Sequence, residues 1–461
     1  MIQEELISLI KNKIIDELSK ANGPDESELG IFNTVDEAVC AAKEAQRRLN
    51  MLDLEKREII ISAIREVSIN NANYLAALCV EESQMGRVDD KIAKIILAAK
   101  KTPGTEDLTP WAKSGDHGLT LVERGPFGVL AAITPVTNPV STIVNNSIGM
   151  IAGGNTVVVN PHPRAVKVSI ETIKLINDAI AKAGGPRHLI CTVKEPTIQT
   201  SQQLMQHPDI KMIVATGGPG VVKAALSSGK KAIGAGAGNP PAVVDETADI
   251  AKAAHDIVLG ASFDNNLPCI AEKVVIVVEK VAKQLMDSFK NENVYILNDE
   301  ESDAITKKIV LNGAVNKDLV GRDASYILSQ IKAGPIPDVR LLIMPTDKNH
   351  PLVYLEQLMP VLPVVTVSDV DEAIELAVKC EHGNRHTAIM HSKNVDNMTK
   401  YARAIETTIF VKNGPSYAGI GMGGEGFTTF TIAGPTGEGL TSAKTFTRQR
   451  RCILVDGFRI V

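Results

Sequence analysis

The stretch ITPVTNPVSTIVNNSIGMIAGGNTVVVNPHP, residues 133–163, decides the class of the fold. It contains a strand-like apolar run, a polar loop, a helical segment and a second strand-like run in immediate succession. A strand, a helix and a strand within roughly thirty residues make a βαβ unit, which joins two parallel strands of one sheet. The stretch therefore predicts an α/β protein in which helices cover a parallel sheet.

The same alternation continues along the chain. The predicted elements are a helix at 166–183, a strand at 189–193, a helix near 198–206 and a strand at 210–215, followed by a strand at 274–278, helices near 281–290 and 301–312, and strands at 341–344 and 362–367. Ligands of parallel sheets bind beyond the carboxyl ends of the strands. We predict two parallel-sheet α/β domains that meet near residue 235.

Size and composition limit the possible functions. At 461 residues the chain exceeds the roughly 250–300 at which a single core stops growing, so several domains are expected. The net charge is −5 and basic residues form no large cluster, which gives no indication of a nucleic acid partner. Six scattered cysteines without a CxxC motif argue against a disulfide framework and a metal site. Without a long apolar run or a signal-peptide pattern, a cytoplasmic protein that does not enter membranes is expected.

Residues 1–20, MIQEELISLIKNKIIDELSK, have the pattern of a short amphipathic helix. Apolar side chains recur at four-residue intervals from Ile2 to Leu18, and acids and lysines occupy the other face. Residues 21–30 are polar, contain Gly and Pro, and are typical of a flexible linker. From the pattern alone, the helix packs back onto the body of the protein or binds a partner surface. Its mixed polar face does not favour a membrane surface.

Cys269 is the candidate nucleophile among the six cysteines. It lies in ASFDNNLPCIAEK, residues 261–273, directly before the apolar run VVIVV. A thiol between a loop and a strand is positioned by a rigid element and can still face a cleft, where a thiolate acts as nucleophile. Considered alone, such a cysteine is more often a buried packing residue.

Three further segments carry candidate polar groups. The turn TGGPGVV, which begins at Thr216, offers backbone N–H groups and a helix N-terminus to a pyrophosphate, although it also reads as a simple connection. Asn138 in TPVTNP is either an oxyanion donor or a turn residue. Glu356 in YLEQLMP, considered alone, is typical of solvated surface.

Seven segments together resemble the aldehyde dehydrogenase superfamily. They are TPVTNP, NPHP, TGGPGVV, GAGAGNPP, LPCIAEK, LEQLMPVLP and FVKNGPS, in that order. The resemblance covers nearly the whole of residues 31–461. Through NLPCIAEK, GAGAGNPP, FVKNGPSYAGIG and GGEGFTTFT it is closest to the CoA-acylating branch of bacterial microcompartments, whose members act on propionaldehyde and acetaldehyde.

The resemblance implies a role for each candidate. Cys269 matches the nucleophile that attacks the aldehyde, and Asn138 with the Cys269 N–H matches the oxyanion hole. Glu356 matches the residue that holds the nicotinamide ribose. The positions that match cofactor contacts are Thr216, Gly217, Gly220, Glu356, Asn160 and Pro161.

Two departures from the wider superfamily bear on chemistry. Hydrolytic relatives carry a glutamate in an ELGGK-like motif, the base that activates water, where this chain has Gly234 within GAGAGNPP. An acyl-cysteine without that base persists for another nucleophile, and the thiol of coenzyme A is suitable. Asn160 stands where many relatives have a lysine that binds the adenosine ribose. Since no basic residue is evident for a 2′-phosphate, NAD is favoured over NADP.

The resemblance also implies an organisation. Residues 31–112 and 124–235 form the dinucleotide-binding domain and residues 236–430 the catalytic domain. Residues 113–123 and 446–461 pair as an oligomerisation arm, which implies a homodimer or a dimer of dimers. Residues 1–20 match the helix that binds shell proteins in microcompartment members, so encapsulation is expected.

The leading hypothesis is oxidation of a short aldehyde, most simply propionaldehyde, to its acyl-CoA with NAD. An acetylating acetaldehyde dehydrogenase is the nearest alternative. A hydrolytic aldehyde dehydrogenase, a reductase of an acyl phosphate and an inactive shell-associated scaffold are the other hypotheses.

Overall fold

The computed structural model describes residues 26–461 of the chain. The helix predicted for residues 1–20 and the first half of the predicted linker, residues 21–25, lie outside the described residues. Within residues 26–461, no helix combines the length and the apolar character needed to cross a membrane.

The second half of the predicted linker is structured. Glu26–Leu29 form a 3-10 helix, and the Leu29 carbonyl oxygen accepts a 2.8 Å hydrogen bond from Asn177. Glu28 pairs with Arg187 at 2.6 Å. Because these contacts fix the segment to the first domain, the prediction of a flexible linker is wrong for residues 26–30.

Fifteen α-helices follow in the described part of the chain. They are α1 (Val35–Leu49), α2 (Leu54–Asn70), α3 (Ala72–Ser83), α4 (Val88–Lys101), α5 (Pro139–Ala152), α6 (Val166–Lys182), α7 (Ile198–Gln206), α8 (Pro219–Leu226), α9 (Ile250–Ser262), α10 (Glu279–Phe289), α11 (Asp299–Ile309), α12 (Ala324–Ser329), α13 (Pro351–Tyr354), α14 (Val370–Glu381) and α15 (Val395–Ile405).

Twenty strands alternate with these helices in the same residues. They are β1 (Ile31–Phe32), β2 (Trp111–Gly115), β3 (Gly118–Pro126), β4 (Val129–Thr134), β5 (Thr156–Pro161), β6 (Ile190–Val193), β7 (Ile210–Thr216), β8 (Lys231–Ala235), β9 (Pro241–Val244), β10 (Val274–Val278), β11 (Val294–Ile296), β12 (Val310–Leu311), β13 (Ala314–Val315), β14 (Leu341–Thr346), β15 (Val361–Val367), β16 (Thr387–His391), β17 (Ile409–Lys412), β18 (Ile432–Ala433), β19 (Gly439–Leu440) and β20 (Thr447–Val455).

The first sheet has six parallel strands in the order β1-β6-β5-β4-β7-β8. Its centre is the predicted βαβ unit, in which β4 and β5 pair from Val129 opposite Thr156 to Thr134 opposite Pro161. Every residue of β4, α5 and β5 is buried. Burial on both faces is what a central parallel strand requires, and it explains the near-continuous apolar sequence.

The second sheet has seven parallel strands in the order β11-β14-β15-β10-β9-β16-β17. The run VVIVV forms β10 at its centre and is buried throughout. The chain passes from β8 of the first sheet to β9 of the second between Ala235 and Pro241. The crossing lies where the sequence predicted the two halves to meet.

The chain returns to the first domain near its end. Ala433, Ala443 and Phe446 belong to the buried core around α5 and β4. The Phe446 carbonyl oxygen accepts a 2.9 Å hydrogen bond from the side chain of Asn155. Ala433, Ala443 and Phe446 therefore complete the core of the first domain, whereas Ile432 packs in the core of the second.

A separate antiparallel sheet consists of β2, β3 and β20. β20 pairs with β3 from Thr447 opposite Pro126 to Val455 opposite Gly118. The two segments predicted to pair as an arm thus pair within one chain. Their contact with a second subunit stays a prediction.

Candidate active site

The carboxyl ends of β4, β5 and β7 lie side by side in the first sheet. Asn138 follows β4 as the N-cap residue of α5. β5 ends at Asn160 and Pro161, and β7 ends at Thr216. The predicted candidates of the first domain therefore share one edge of the sheet.

The candidates of the second domain precede strands instead of following them. Gly238 precedes β9, Cys269 precedes β10 and Glu356 precedes β15, and these strands are neighbours in the sheet. The candidates thus lie at the carboxyl ends of strands in the first sheet and at the amino ends in the second. The site is formed where the carboxyl edge of one sheet faces the amino edge of the other.

Cys269 lies in the loop between α9 and β10 and is partly exposed. The loop backbone is unusual because Asp264, Asn265 and Asn266 have φ angles of 47°, 53° and 62°. Asn and Asp tolerate this left-handed region better than other non-glycine residues. The Asn266 side chain donates to two carbonyl oxygens of the same loop at 2.7 and 2.9 Å. The DNN sequence thus sets the path of the chain towards the nucleophile.

Lys273 supports this loop from inside the protein. Its Nζ donates to the backbone and side-chain oxygens of Asn266 at 2.8 and 2.6 Å, and to the Pro268 carbonyl oxygen at 3.2 Å. The peptide bonds of residues 26–461 are all trans, so a carbonyl and the next N–H point in opposite directions. With its oxygen held by Lys273, the Pro268–Cys269 peptide directs its N–H away from the lysine. That N–H interacts with the Cys269 thiol.

The Cys269 thiol is poorly acidic in this setting. Burial raises its pKa to about 12, and the carboxylate of Glu356 acts in the same direction. The charges of Lys273 and Lys94 lower the pKa but do not offset the burial. Cys269 is therefore protonated at neutral pH, and nucleophilic attack requires transfer of its proton.

Glu356 is partly buried and its carboxylate interacts with the Cys269 thiol, so its interpretation as solvated surface is wrong. Its Oε1 accepts a 3.1 Å hydrogen bond from the Gly238 N–H. Burial raises the pKa of Glu356, and the charge of Lys273 opposes that shift. The segment that follows α13 turns into the interior, where the hydrogen bond from Gly238 connects Glu356 to the GAGAGNPP segment.

The position of Gly234 differs from that of the water-activating glutamate with which the resemblance aligns it. A β-carbon at Gly234 would lie 2.7 Å from the side chain of Val222 in α8, so a side chain there would face that helix and would not point towards the thiol. The sequence argument against a water-activating base therefore rests on the whole segment Gly234–Pro241, which contains no carboxylate.

Asn138 is oriented by two neighbours. Its Oδ1 accepts a 2.5 Å hydrogen bond from Lys94 Nζ, and its Nδ2 donates to Thr137 Oγ1 at 3.2 Å. Lys94 also pairs with Asp264 of the nucleophile loop. The structure thus brings together Asn138 and the loop of Cys269, as the sequence predicted, through a lysine that sequence reasoning missed.

The glycine-rich turn after β7 presents an accessible helix N-terminus. Gly217 donates its N–H to the Ala235 carbonyl oxygen at 3.0 Å, and Thr216 Oγ1 lies 3.0 Å from Thr431 Oγ1. Beyond them the turn opens, since a β-carbon on Gly218 or Gly220 would meet no atom of the described part of the chain within 4 Å. This is the space that a pyrophosphate requires at the start of α8.

Asn160 has structural partners in α7 and its cap. Its Oδ1 accepts a 2.7 Å hydrogen bond from Thr200 Oγ1, and its Nδ2 donates to the Thr197 carbonyl oxygen at 3.3 Å. Pro161, the last residue of β5, pairs with Thr134 in the adjacent strand. Contacts of Asn160 and Pro161 with a cofactor stay predictions.

His386 is a further residue of the site that sequence reasoning missed. It directly precedes β16, and a β-carbon on Gly238 would lie 3.0 Å from its ring. Burial lowers the pKa of His386 to about 4, and Lys273 contributes to the lowering, so the ring is neutral. In the sequence, the signal for this location was the position of His386 immediately before β16, a strand of the second sheet.

Comparison with known proteins assigns the fold. The family model described as "Aldehyde dehydrogenase family" matches residues 29–332. The chain belongs to the aldehyde dehydrogenase family. This aldehyde dehydrogenase is 49% identical to acetaldehyde dehydrogenase (acetylating) of Salmonella typhimurium, over the full length of both chains.

Two solved structures resemble this aldehyde dehydrogenase in sequence and fold. Propionaldehyde dehydrogenase of Rhodopseudomonas palustris with bound propionyl-CoA is 52% identical, with a TM-score of 0.91 over 93% of this chain and 96% of that one. Propionaldehyde dehydrogenase from the fucose utilisation bacterial microcompartment of Clostridium phytofermentans is 54% identical, with a TM-score of 0.92 over 94% and 100%. The predicted aldehyde dehydrogenase-like α/β fold and the predicted branch are confirmed.

Proposed function

We propose that this aldehyde dehydrogenase oxidises a short aliphatic aldehyde to its acyl-CoA, with NAD as acceptor, through a thioester on Cys269. One observation carries the proposal: the nucleophile loop and the Asn138 amide are linked across the two sheets, while Gly234–Pro241 contains no carboxylate. The relatives in the same branch support it, since their names specify acetylation and bound propionyl-CoA.

The first domain fits a dinucleotide. The open turn at Gly218 and Gly220 leaves room for the pyrophosphate at the N-terminus of α8, and Glu356 lies near Cys269, where the nicotinamide ribose would be held. When bound, NAD supplies an acceptor for the hydride that leaves the aldehyde carbon.

The chain's own residues account for the acyl chemistry. The Cys269 thiol releases its proton to solvent water, and Sγ bonds to the aldehyde carbon while the carbonyl π electrons move to the aldehyde oxygen, which becomes negatively charged. The Cys269 N–H and the Asn138 amide would donate to that oxygen. After oxidation the acyl group is a thioester on Sγ. The thiolate of coenzyme A then bonds to the acyl carbon while the bond to Sγ breaks, which restores Cys269 as a leaving thiolate.

Propionaldehyde is the proposed substrate, with acetaldehyde as the alternative. The two differ by one methylene, which is worth roughly 1–3 kcal/mol of discrimination in an apolar pocket. Relatives of both names lie at similar identity to this chain. Comparing turnover of two-, three- and four-carbon aldehydes decides between them.

We also propose that the enzyme is encapsulated in a bacterial microcompartment through residues 1–20, and that it is a homodimer or a dimer of dimers. A structural relative comes from a microcompartment, and the apolar stripe from Ile2 to Leu18 suits a shell protein surface. The strand edge of β20 suits pairing with a second copy.

Steady NADH formation with and without coenzyme A tests the main proposal. With propionaldehyde and NAD, sustained turnover is expected only when coenzyme A is present, and the product should be propionyl-CoA. Comparable turnover without coenzyme A, with release of free propionate, would defeat acyl transfer and favour a hydrolytic enzyme.

A further inference from the structure

Lys94 is a buried lysine between the two domains. It lies on α4, its exposed fraction is 1%, and its Nζ contacts both Asn138 Oδ1 and the carboxylate of Asp264. Water therefore does not compete for these contacts, and the ammonium group has two fixed acceptors.

The chemistry of Lys94 decides which way the Asn138 amide faces. Burial lowers the pKa of Lys94, and the Asp264 carboxylate opposes that shift by stabilising the ammonium form. An ammonium group donates hydrogen bonds and accepts none, so the amide atom turned towards this ammonium group is the oxygen. Nδ2 is then on the opposite side of the amide, where one of its two hydrogens bonds to Thr137 Oγ1. The second hydrogen of Nδ2 has no acceptor among the hydrogen bonds of residues 26–461 and is available to a ligand.

Asp264 anchors Lys94 to the nucleophile loop. Its carboxylate accepts from Lys94, from Lys91 at 3.1 Å and from the Arg87 N–H at 2.8 Å. Asp264 is fully buried and belongs to the same left-handed segment that leads to Cys269. A single ammonium group thus links the amide that follows β4 to the loop that precedes β10.

We propose that Lys94 is a positioning residue: it holds the Asn138 oxygen so that Nδ2 faces the reacting oxygen of the aldehyde, and it ties that amide to the Cys269 loop through Asp264. The inference rests on the proposed function. Without Lys94 the amide can rotate and present its own oxygen, which repels the developing negative charge. Loss of one oxyanion donor costs roughly 10²–10³ in rate.

A double-mutant cycle tests the inference. kcat/KM for propionaldehyde, with NAD and coenzyme A, is compared in the wild type, Lys94→Met, Asn138→Ala and the double variant. Each single variant should lose roughly 10²-fold. The charge of Lys94 also lowers the pKa of the Cys269 thiol, so the rate of Cys269 alkylation by iodoacetamide is measured in each variant and kcat/KM is compared after division by that rate. On this scale the double variant should stay within about threefold of Asn138→Ala, because Lys94 acts through Asn138. Two results would overturn the inference: a double variant whose loss equals the product of the two single losses, or a Lys94→Met variant within about threefold of the wild type.

Lys91→Met is the matched control. Lys91 is on the same helix, is also buried and binds the same carboxylate. It donates to the Thr137 carbonyl oxygen at 3.4 Å, but the hydrogen bond to the Asn138 side chain comes from Lys94 and not from Lys91. It should lower the melting temperature about as much as Lys94→Met while keeping kcat/KM within about threefold of the wild type. An equal loss of activity in both variants would mean that the ion pair, and not the amide contact, is responsible, which also overturns the inference.

The experiment distinguishes failure of the role proposed for Lys94 from failure of the proposed function. Lys94→Met could fail to fold because the buried Asp264 carboxylate is left with too little positive charge beside it. In that case all four variants are made in an Asp264→Asn background, which removes the negative charge of Asp264. If the wild type forms no propionyl-CoA, the proposed function fails. If the wild type is active and Lys94→Met is equally active, only the role of Lys94 fails.

Discussion

Gly238 lies directly against Cys269: a β-carbon at Gly238 would come within 2.6 Å of the Cys269 carbonyl oxygen. That distance is shorter than real contacts of such atoms, so Gly238→Ala should displace the nucleophile loop. We expect kcat/KM to fall at least about tenfold, as misplaced reactants lose near-attack geometry. Steady-state kinetics with propionaldehyde, NAD and coenzyme A measure the loss.

Gly236→Ala is the control for this prediction. It lies in the same GAGAGNPP segment, but its β-carbon would make only an ordinary 3.8 Å contact with Pro435. It should keep activity near that of the wild type. Equal effects of the two substitutions would show that flexibility of the segment matters, and not the contact with Cys269.

Glu356→Gln should make Cys269 more acidic. The carboxylate of Glu356 is one of the causes of the raised thiol pKa, so its removal lowers the pH at which the thiolate forms. Alkylation of the protein by iodoacetamide at pH 8 should therefore be faster than in the wild type, while KM for NAD rises. Cys269→Ala, which should form no NADH, identifies the labelled thiol. An unchanged or slower alkylation rate in Glu356→Gln would contradict the prediction.

The buried ring of His391 should make stability depend on pH. Burial lowers its pKa to about 4, with a smaller contribution from Lys252, and its Nε2 has no hydrogen-bond partner within residues 26–461. The unfolded chain, with an ordinary histidine pKa near 6.5, binds the proton first, so stability is complete above that pH and falls as the pH drops towards 4. The loss reaches up to about 3 kcal/mol.

Thermal unfolding between pH 7 and pH 5 checks this prediction. His391→Gln should reduce the fall in melting temperature, and His386 accounts for part of what remains because its pKa is lowered in the same direction. His117→Gln, at an exposed position, should behave as the wild type. A pH dependence unaltered in His391→Gln would refute the assignment.

Removal of residues 1–20 should separate targeting from catalysis. kcat and KM should be unchanged, while co-purification with microcompartment shell proteins should be lost. Ile10→Asp with Ile14→Asp, on the apolar stripe, should have the same effect as the deletion. Asn12→Asp, on the polar face, should not. Retained co-purification of the deleted protein would exclude this segment as the targeting element.

Local patterns were sufficient for much of the fold, whereas Cys269 was singled out from the six cysteines by the family resemblance. The βαβ stretch around Asn138, the buried run after Cys269 and the crossing after Ala235 all depend on residues close in sequence, which periodicity and length record directly. Local patterns do not predict which ends of the strands in the second sheet face the site. These strands present their amino ends to the site, and a rule based on carboxyl ends gives no reason to examine residues such as His386.

The supporting residues could not be predicted because their partners are distant in sequence. Lys94 looks like an ordinary helix residue until Asp264 and Asn138 are placed beside it, and Glu356 looks like surface until Gly238 is seen to donate to it. A buried charge is explained only by its partners. Those partners come from other elements, so local sequence contains no trace of them.

The return of the chain to the first domain has a consequence for attempts to divide the molecule. A fragment ending at Ala235 would contain the first sheet but lack Ala443 and Phe446, which complete its core. A fragment starting at Pro241 would carry those apolar residues without the surface they pack against. The two domains are thus not exchangeable modules: a chimera that takes its first domain from another enzyme also has to take the residues from Ala433 to Phe446 that complete its core.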